Sequence, residues 1–505
     1  MLHRENSNFM RMASYVPVQP EDELSFEPAT IKTSLLTELD GWTRDARAED
    51  NDRYFWHVGE VDKITRGGKF FVIGRKGSGK TAICEYLSRK QSHDYFAERL
   101  SFKNFPFNEL YGQKDHGYTA PNQFITIWKF VIYSTVCRLM MRNEAVPAGV
   151  RADLSKLYEE NLPLSRRVSR WVGKEFGASL FGLSGKIQKT EATAEREWIQ
   201  RVNFLEDFVL EHLSDATYFI LFDELDEDYR EIKDNLESSE YIALITSLFK
   251  AVHDVRSTFA SRGGNRVRPI VFLRDDIYEL VRDADKNKWR DFRIDISWDE
   301  DKIRSLLAFR ISRALDAKCK GILPFDTAWQ MVFGKKKITG GGKRTGKQLN
   351  SFDYIARSTL LRPRDFVAYV KSCAEEAIEE GGRISPQLVR RVDRAFSNYL
   401  RDEFTDEIFA VLPDISAIFD VIVQLRKWNF SAQEFETVYR AQVAAGSIKE
   451  PNVTFVMKVL YHFSVIGNSP QAERFVFRYT NRESQLNLRE RIIVHRGLFK
   501  SLQIL

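Results

Sequence analysis

The stretch "GRKGSGKT", Gly74 to Thr81, leaves this chain little freedom in how it can fold. It satisfies G-x-x-x-x-G-K-[ST] in full, with the apolar run "KFFVI" (69–73) before it and "AICEYLSRK" (82–90) after it. Gly74 and Gly79 let the backbone curl so that successive N–H groups point inward, and the positive end of the following helix adds to the pull on an anion. Gly77 and Ser78 keep the loop narrow. Lys80 is placed for β- and γ-phosphate oxygens and the Thr81 hydroxyl for Mg²⁺. Such a loop needs a buried strand to feed it and a helix to leave it. The pattern therefore predicts an α/β fold, a P-loop NTPase with a parallel sheet, taking a nucleoside triphosphate with Mg²⁺; ATP is the expected one, since no guanine-reading motif is evident, although the pattern itself does not tell it from GTP.

A phosphate loop needs carboxylates on its metal side, and "YFILFDELDED" (218–228) provides them. Its apolar half predicts a strand ending at Asp223, at the edge where ligands of open α/β sheets gather. Asp223 would share the Mg²⁺ shell with Thr81, and Glu224 would polarise an attacking water as general base. Asp226 would orient the pair or stand in solvent. An acidic turn capping a strand is the plainer reading of the same residues. A third buried strand, "PIVFL" (269–273), leads to Arg274 and Asp275. In a sheet of the additional-strand type these lie beside the γ-phosphate; the alternative is a salt bridge from Arg274 to the acidic run.

Around these motifs the chain divides into four spans. Residues 1–50 are polar and acidic, without periodicity before "IKTSLLTEL", and predict a partly ordered arm. Residues 51–299 alternate compact apolar runs with amphipathic segments and form the P-loop core. In 300–395 an apolar stripe (Ile303, Leu306, Leu307, Ile311, Leu315) follows Ser297 and Glu300, spaced as a capping box. A second helix there begins at Pro363 and stops at Gly381 and Gly382, which completes a helical lid. Residues 396–505 read helix, helix, then the β-like runs "RFVFRY" and "RIIVHRG", the outline of a winged helix.

A hydrophobic content of 43% is enough apolar material for cores of this extent. Cys84, Cys137, Cys319 and Cys373 have no paired spacing, which argues against a disulfide framework or a zinc ribbon and fits a reducing cytoplasm. The most membrane-like stretch, "FITIWKFVIYSTVCRLMM" (124–141), is interrupted by Lys129 and Arg138 and predicts a buried helix, so no membrane is expected as a partner. The first residues show no continuous apolar leader segment.

Taken in order, "GRKGSGKT", "FDELD", "FLRDDIY", "ISWDEDKIRSLLAFRI" and "LRPRDFVAYV" resemble bacterial AAA+/STAND-like P-loop ATPases, the origin-recognition-like and KAP-like groups above all. The resemblance covers roughly residues 50–395, with "SVIGN" and "IIVHRGL" extending it into the winged-helix end. It implies that Arg274 takes the place of the polar sensor after the fourth strand, where AAA+ chains carry Asn or Thr and STAND-like chains arginine. It also implies that Arg364, in "RPRD", is the sensor arginine opening a lid helix, with Arg362 competing for the role. Arg290 and Arg293 would act on a neighbouring copy in a nucleotide-dependent homo-oligomer. Members of such groups often work in phage defence or DNA transactions with a separately encoded effector, and this chain carries no nuclease, protease or deaminase motif of its own.

A net charge of +5 permits nucleic-acid contact without demanding it. The loop "GKKKITGGGKRTGK" (334–347) and the wing residues Arg474, Arg478, Arg482, Arg489 and Arg491 would meet a DNA backbone non-specifically. The recognition-helix candidate "NVTFVMKVLYHF" offers only Lys458 and His462 as outward polar donors, too few to read base edges, and winged helices also dock proteins. "GLSGKIQ" (182–188) departs from an ABC-type signature and reads as a loop. Three functions follow: an ATP-hydrolysing switch or motor, a nucleotide-gated scaffold with negligible turnover, and a small-molecule kinase. Glu224 beside Asp223 disfavours the last.

Overall fold

A computed structural model describes residues 28–90, 92–103, 122, 124–158, 162–172, 194–226, 235–262, 264–317, 321–340, 348–472 and 474–504. The chain enters through helix α1 (Pro28–Asp40) and then builds a sheet of β1 (Phe71–Gly74), β2 (Tyr95–Ser101), β3 (Thr217–Asp223), β4 (Val267–Arg274) and β5 (Arg293–Ile296). The strands pair in parallel in the order β2-β3-β4-β1-β5. The three apolar runs are thus the three central strands, and β1 is buried along its whole length, as expected where helices cover both faces. Because every strand points the same way, the residues that end them share one edge. There Gly74 pairs with Arg274 and Ser101 with Asp223.

Helix α2 (Lys80–Arg89) leaves the loop after β1. Helix α3 (Ile125–Met141) is the membrane-like stretch, and 13 of its 17 residues are buried. A helix apolar on all sides belongs inside a protein or a bilayer; this one packs against α4 (Ala194–His212) and α5 (Asn235–Ser261). Among the described residues no helix is long and apolar enough to cross a membrane.

The helical span holds α6 (Glu300–Leu315), α7 (Phe325–Phe333), a two-stranded hairpin of β6 (Ile338–Thr339) with β7 (Gln348–Leu349), α8 (Pro363–Glu379) and α9 (Pro386–Ile408). The capping box expected from Ser297 and Glu300 is not formed. Helix α6 begins at Glu300 itself, so Glu300 is its first residue, and the cap is Asp299, whose carboxylate accepts the Lys302 N–H at 2.8 Å. Helix α8 starts on Pro363 and is followed by Gly381 and Gly382 at φ +93° and +85°, as the punctuation requires.

The last span carries α10 (Ile415–Leu425), β8 (Asn429–Phe430), α11 (Ala432–Ala444), α12 (Val453–His462), β9 (Ile466–Gln471), β10 (Arg474–Val476) and β11 (Arg491–Val494). Its sheet has four strands in the order β10-β9-β11-β8, where the sequence suggests a two-stranded ribbon. The strand that joins the two expected ones is β9, "IGNSPQ", whose Gly, Asn, Ser and Pro are residues that strands generally avoid.

Two apolar clusters fill the molecule. One is drawn from residues 58–296; the other joins residues 35–54 to residues 303–504. The segment read as a partly ordered arm therefore contributes Leu35, Leu36, Leu39 and Trp42 to the same interior as the helical span. Trp298 packs against both clusters, at the boundary where the cleft opens.

Candidate active site

The loop after β1 forms one wall of a cleft of about 580 Å³. Gly77 and Gly79 take φ of +78° and +93°, in the left-handed region where a Cβ is strained. At Gly74 an added Cβ would stand 2.6 Å from Ser78 Oγ and 3.2 Å from the Ile296 carbonyl, so a side chain there would have to displace Ser78. Lys80 Nζ donates to the Gly74 and Arg75 carbonyls at 2.8 and 3.0 Å. Burial lowers the pKa of its ammonium, although Asp226 and Asp275 pull the other way. Ser78 is buried, and its Oγ has no hydrogen-bond partner among the described residues. Its carbonyl accepts the Trp298 indole N–H at 2.8 Å. Thr81 follows in the first turn of α2 and lines the same cleft.

Opposite stand the carboxylates. Asp223 ends β3 at 2% exposure, 2.9 Å from Arg99 Nη2. Burial pushes its carboxyl up to about 6 against the pull of Arg99, and the adjacent Glu224 adds to the rise. Glu224 takes φ +60°, a strained conformation for a residue with a side chain. Its Oε2 accepts from Arg99 Nη2 at 3.0 Å and from Ser101 Oγ, while its Oε1 lies 3.1 Å from Arg47 Nη1. Arg99 and Ser101 meet this pair because β2 lies beside β3 in register and alternate residues share a face.

Arg274, last residue of β4, lies between the loop strand and the carboxylate strand and lines the cleft. It is 4% exposed and pairs with Asp276 at 2.6 Å and Asp226 at 3.3 Å, so the salt bridge set out as its alternative is formed, and Asp226 is paired with it. The two candidate lid arginines separate cleanly. Arg362 is a buried strut, 2.9 Å from Asp365 and 2.8 Å from Glu407, and it donates to the Lys76 carbonyl at 3.2 Å. Arg364 lines the cleft 3.4 Å from Glu403, with its Cβ 3.2 Å from where a Gly77 Cβ would be. Arg290 is exposed and Arg293 pairs with Asp295 on its own strand; neither lines the cleft.

The fold brings here three residues to which the sequence assigns no role, although Trp298 lies within the quoted stretch "ISWDEDKIRSLLAFRI". Arg47 comes from the segment after α1, Arg99 from mid-β2 and Trp298 from just beyond β5; each is recruited by topology. The last span is corrected in a different way. Arg478 pairs with Glu279, Arg482 lies 3.1 Å from Asp295, and His462 is 3.6 Å from Glu279, so these candidate DNA donors turn toward the sheet-bearing half. Arg491 meets Glu434 at 3.2 Å, and Arg474 and Arg489 are exposed. Arg75, inside the glycine-rich loop after β1, reaches the Phe463 carbonyl at 3.3 Å. Half of the basic loop (341–347) and the whole of 182–188 lie outside the described residues.

Among solved structures, one titled "Structure of Drosophila ORC bound to DNA" is 12% identical to the chain, across 99% of this chain and 96% of that one, with a TM-score of 0.27. No curated protein matches it. Residues 301–405 match a family described as the FunZ-associated C-terminal helical domain, and that match takes in the stretch holding Arg362, Arg364 and Glu403.

Proposed function

We propose that the chain is an ATP-hydrolysing switch in which nucleotide state moves the helical lid and the C-terminal span relative to the sheet. One observation carries this. The lysine-bearing loop on β1, the Asp-Glu pair on β3 and Arg274 on the strand between them converge on one cleft at the C-terminal edge of a parallel sheet, where ligands of open α/β sheets gather. The orphaned Ser78 Oγ and the glycine curl suit a polyphosphate, and a carboxylate with a threonine hydroxyl suits a hard divalent ion.

Asp223 and Thr81 would hold Mg²⁺, which when bound neutralises charge on the β- and γ-phosphates. Lys80 would exchange its two carbonyl partners for phosphate oxygens, and Glu224 would take the proton of the attacking water. Arg364, at the mouth of α8, would read the γ-phosphate and transmit its presence to the lid. Helices followed by a small antiparallel sheet suit a winged-helix-like docking module. Since Arg478, Arg482 and His462 are engaged inside the molecule, a protein partner suits that face better than a DNA backbone. The defence or DNA-associated setting, the cytoplasm and a homo-oligomer belong to the same proposal.

The test is nucleotide binding and steady-state phosphate release by Lys80→Ala and Glu224→Gln. Lys80→Ala is expected to lose at least about tenfold in ATP affinity, the loss of a charge-assisted contact. Glu224→Gln is expected to keep its affinity and lose about 10²- to 10⁴-fold in turnover. A Lys80→Ala protein that binds like wild type would refute the reading. A nucleotide-gated scaffold is the second reading, favoured by the fact that both oxygens of Glu224 are occupied.

A further inference from the structure

A general base must offer a lone pair, and Glu224 has few free. Oε2 is taken by Arg99 and Ser101, both from β2, the strand hydrogen-bonded to β3. These donors move with the sheet and are part of the site's scaffold. Oε1 is left, and Arg47 Nη1 stands 3.1 Å from it. A guanidinium there uses one lone pair and places positive charge where a proton would have to arrive.

Arg47 is not carried by the sheet. Its guanidinium is preset by Asp45, with Nε 3.0 Å from Oδ1 and Nη2 2.8 Å from Oδ2. Two residues on, Glu49 ties the segment to Arg310 of α6 at 2.9 Å. Leu39 and Trp42, just upstream, are buried in the cluster that includes the helical span. Arg47 is therefore tied to α1 and the lid upstream and through Glu49, before the chain packs Phe55 on Tyr86 of α2 at 4.3 Å; Glu224 belongs to the sheet, and the ion pair between them spans the cleft. The strained φ of Glu224 shows that the surroundings hold it in this pose.

We propose that Arg47 is a positioning residue that masks the base: while its guanidinium covers Oε1, Glu224 accepts no proton, and movement of the lid with α1 uncovers it. The role rests on Glu224 being the base, as proposed above. The experiment measures kcat and KM for ATP together with nucleotide affinity, on the full chain, for wild type, Arg47→Ala, Arg47→Lys, Glu224→Gln and the double variant Arg47→Ala/Glu224→Gln. Arg47→Ala is expected to raise kcat roughly three- to tenfold, the range between an exposed ion pair and a charge-assisted hydrogen bond, with KM and affinity within about twofold. Arg47→Lys should restore part of the restraint, and the double variant should be inactive. Glu49→Gln removes the charge from the tie to Arg310 without touching Glu224 and should raise kcat in the same direction, by less, which keeps the test decisive if Arg47→Ala misfolds. An unchanged or lower kcat in Arg47→Ala and Glu49→Gln, with Glu224→Gln inactive, overturns the mask and leaves the base standing. Full turnover by Glu224→Gln overturns both.

Discussion

Arg362 and Arg364 stand two residues apart and do different work. The sequence offers both for one role, because spacing from Pro363 does not say which one faces the cleft; burial decides it. Arg362 is enclosed with Asp365 and Glu407, and Glu407 pays for its burial through that contact: burial alone would raise its carboxyl, yet Arg362 and then Lys76 hold it down at about 2. The folded value lies below the ordinary 4.5, so the stabilisation is present above pH 4.5 and is lost as pH falls from there toward 2. Glu407→Gln is accordingly expected to cost about 3 kcal/mol at pH 7, with the gap from wild type closing below pH 4.5 in denaturant melts. Gly74→Ala should cost about 1–3 kcal/mol, the range for overpacking, because the added methyl meets Ser78 and the Ile296 carbonyl, and it should weaken nucleotide binding in calorimetry. The motif residues were legible because their spacing encodes the loop directly. Arg47 and Arg99 were not, since each depends on which strands and segments end up side by side.

At the scale of elements, apolar content made β1, β3 and β4 plain, and the buried character of α3 followed from the same signal. Strand β9 escaped because its pairing, between β10 and β11, overrides the poor strand propensity of Gly467, Asn468 and Pro470. The outward role read for Arg478 and Arg482 failed for a related reason, although Arg474 and Arg489 stay exposed: a basic residue announces charge, and only the docked fold shows that Glu279 and Asp295 receive it. Removing both contacts, Arg478→Ala with Arg482→Ala, should loosen α12 and β9–β11 by about 1 kcal/mol, two partly exposed pairs' worth. Hydrogen exchange should quicken there by a few-fold and stay slow in β3 and β4. Equal protection in the double variant would mean that apolar contacts alone hold the span in place.

For the molecule as a whole, the cleft sits where two interiors meet, one of sheet and helices, the other of helices, α1 and the terminal span. A ligand there touches both and should bind them into one cooperative unit. At about a hundredfold excess over Kd, ATP with Mg²⁺ is expected to add about 2.7 kcal/mol to stability and to raise the calorimetric Tm by several degrees, merging any separate transitions, while Lys80→Ala should show little of this.

Trp298 makes that occupancy visible from outside. Its indole N–H is bonded to the Ser78 carbonyl, on the backbone of the glycine-rich loop itself, and its ring lies 5.9 Å from that of Trp56. Any rearrangement of the loop changes that bond and the ring pairing, and with them the emission of an intrinsic fluorophore. The chain has nine tryptophans, so the signal is best taken as the difference between wild type and Trp298→Phe. The protein thus carries its own optical gauge of loop state, readable in a stopped-flow trace without a label.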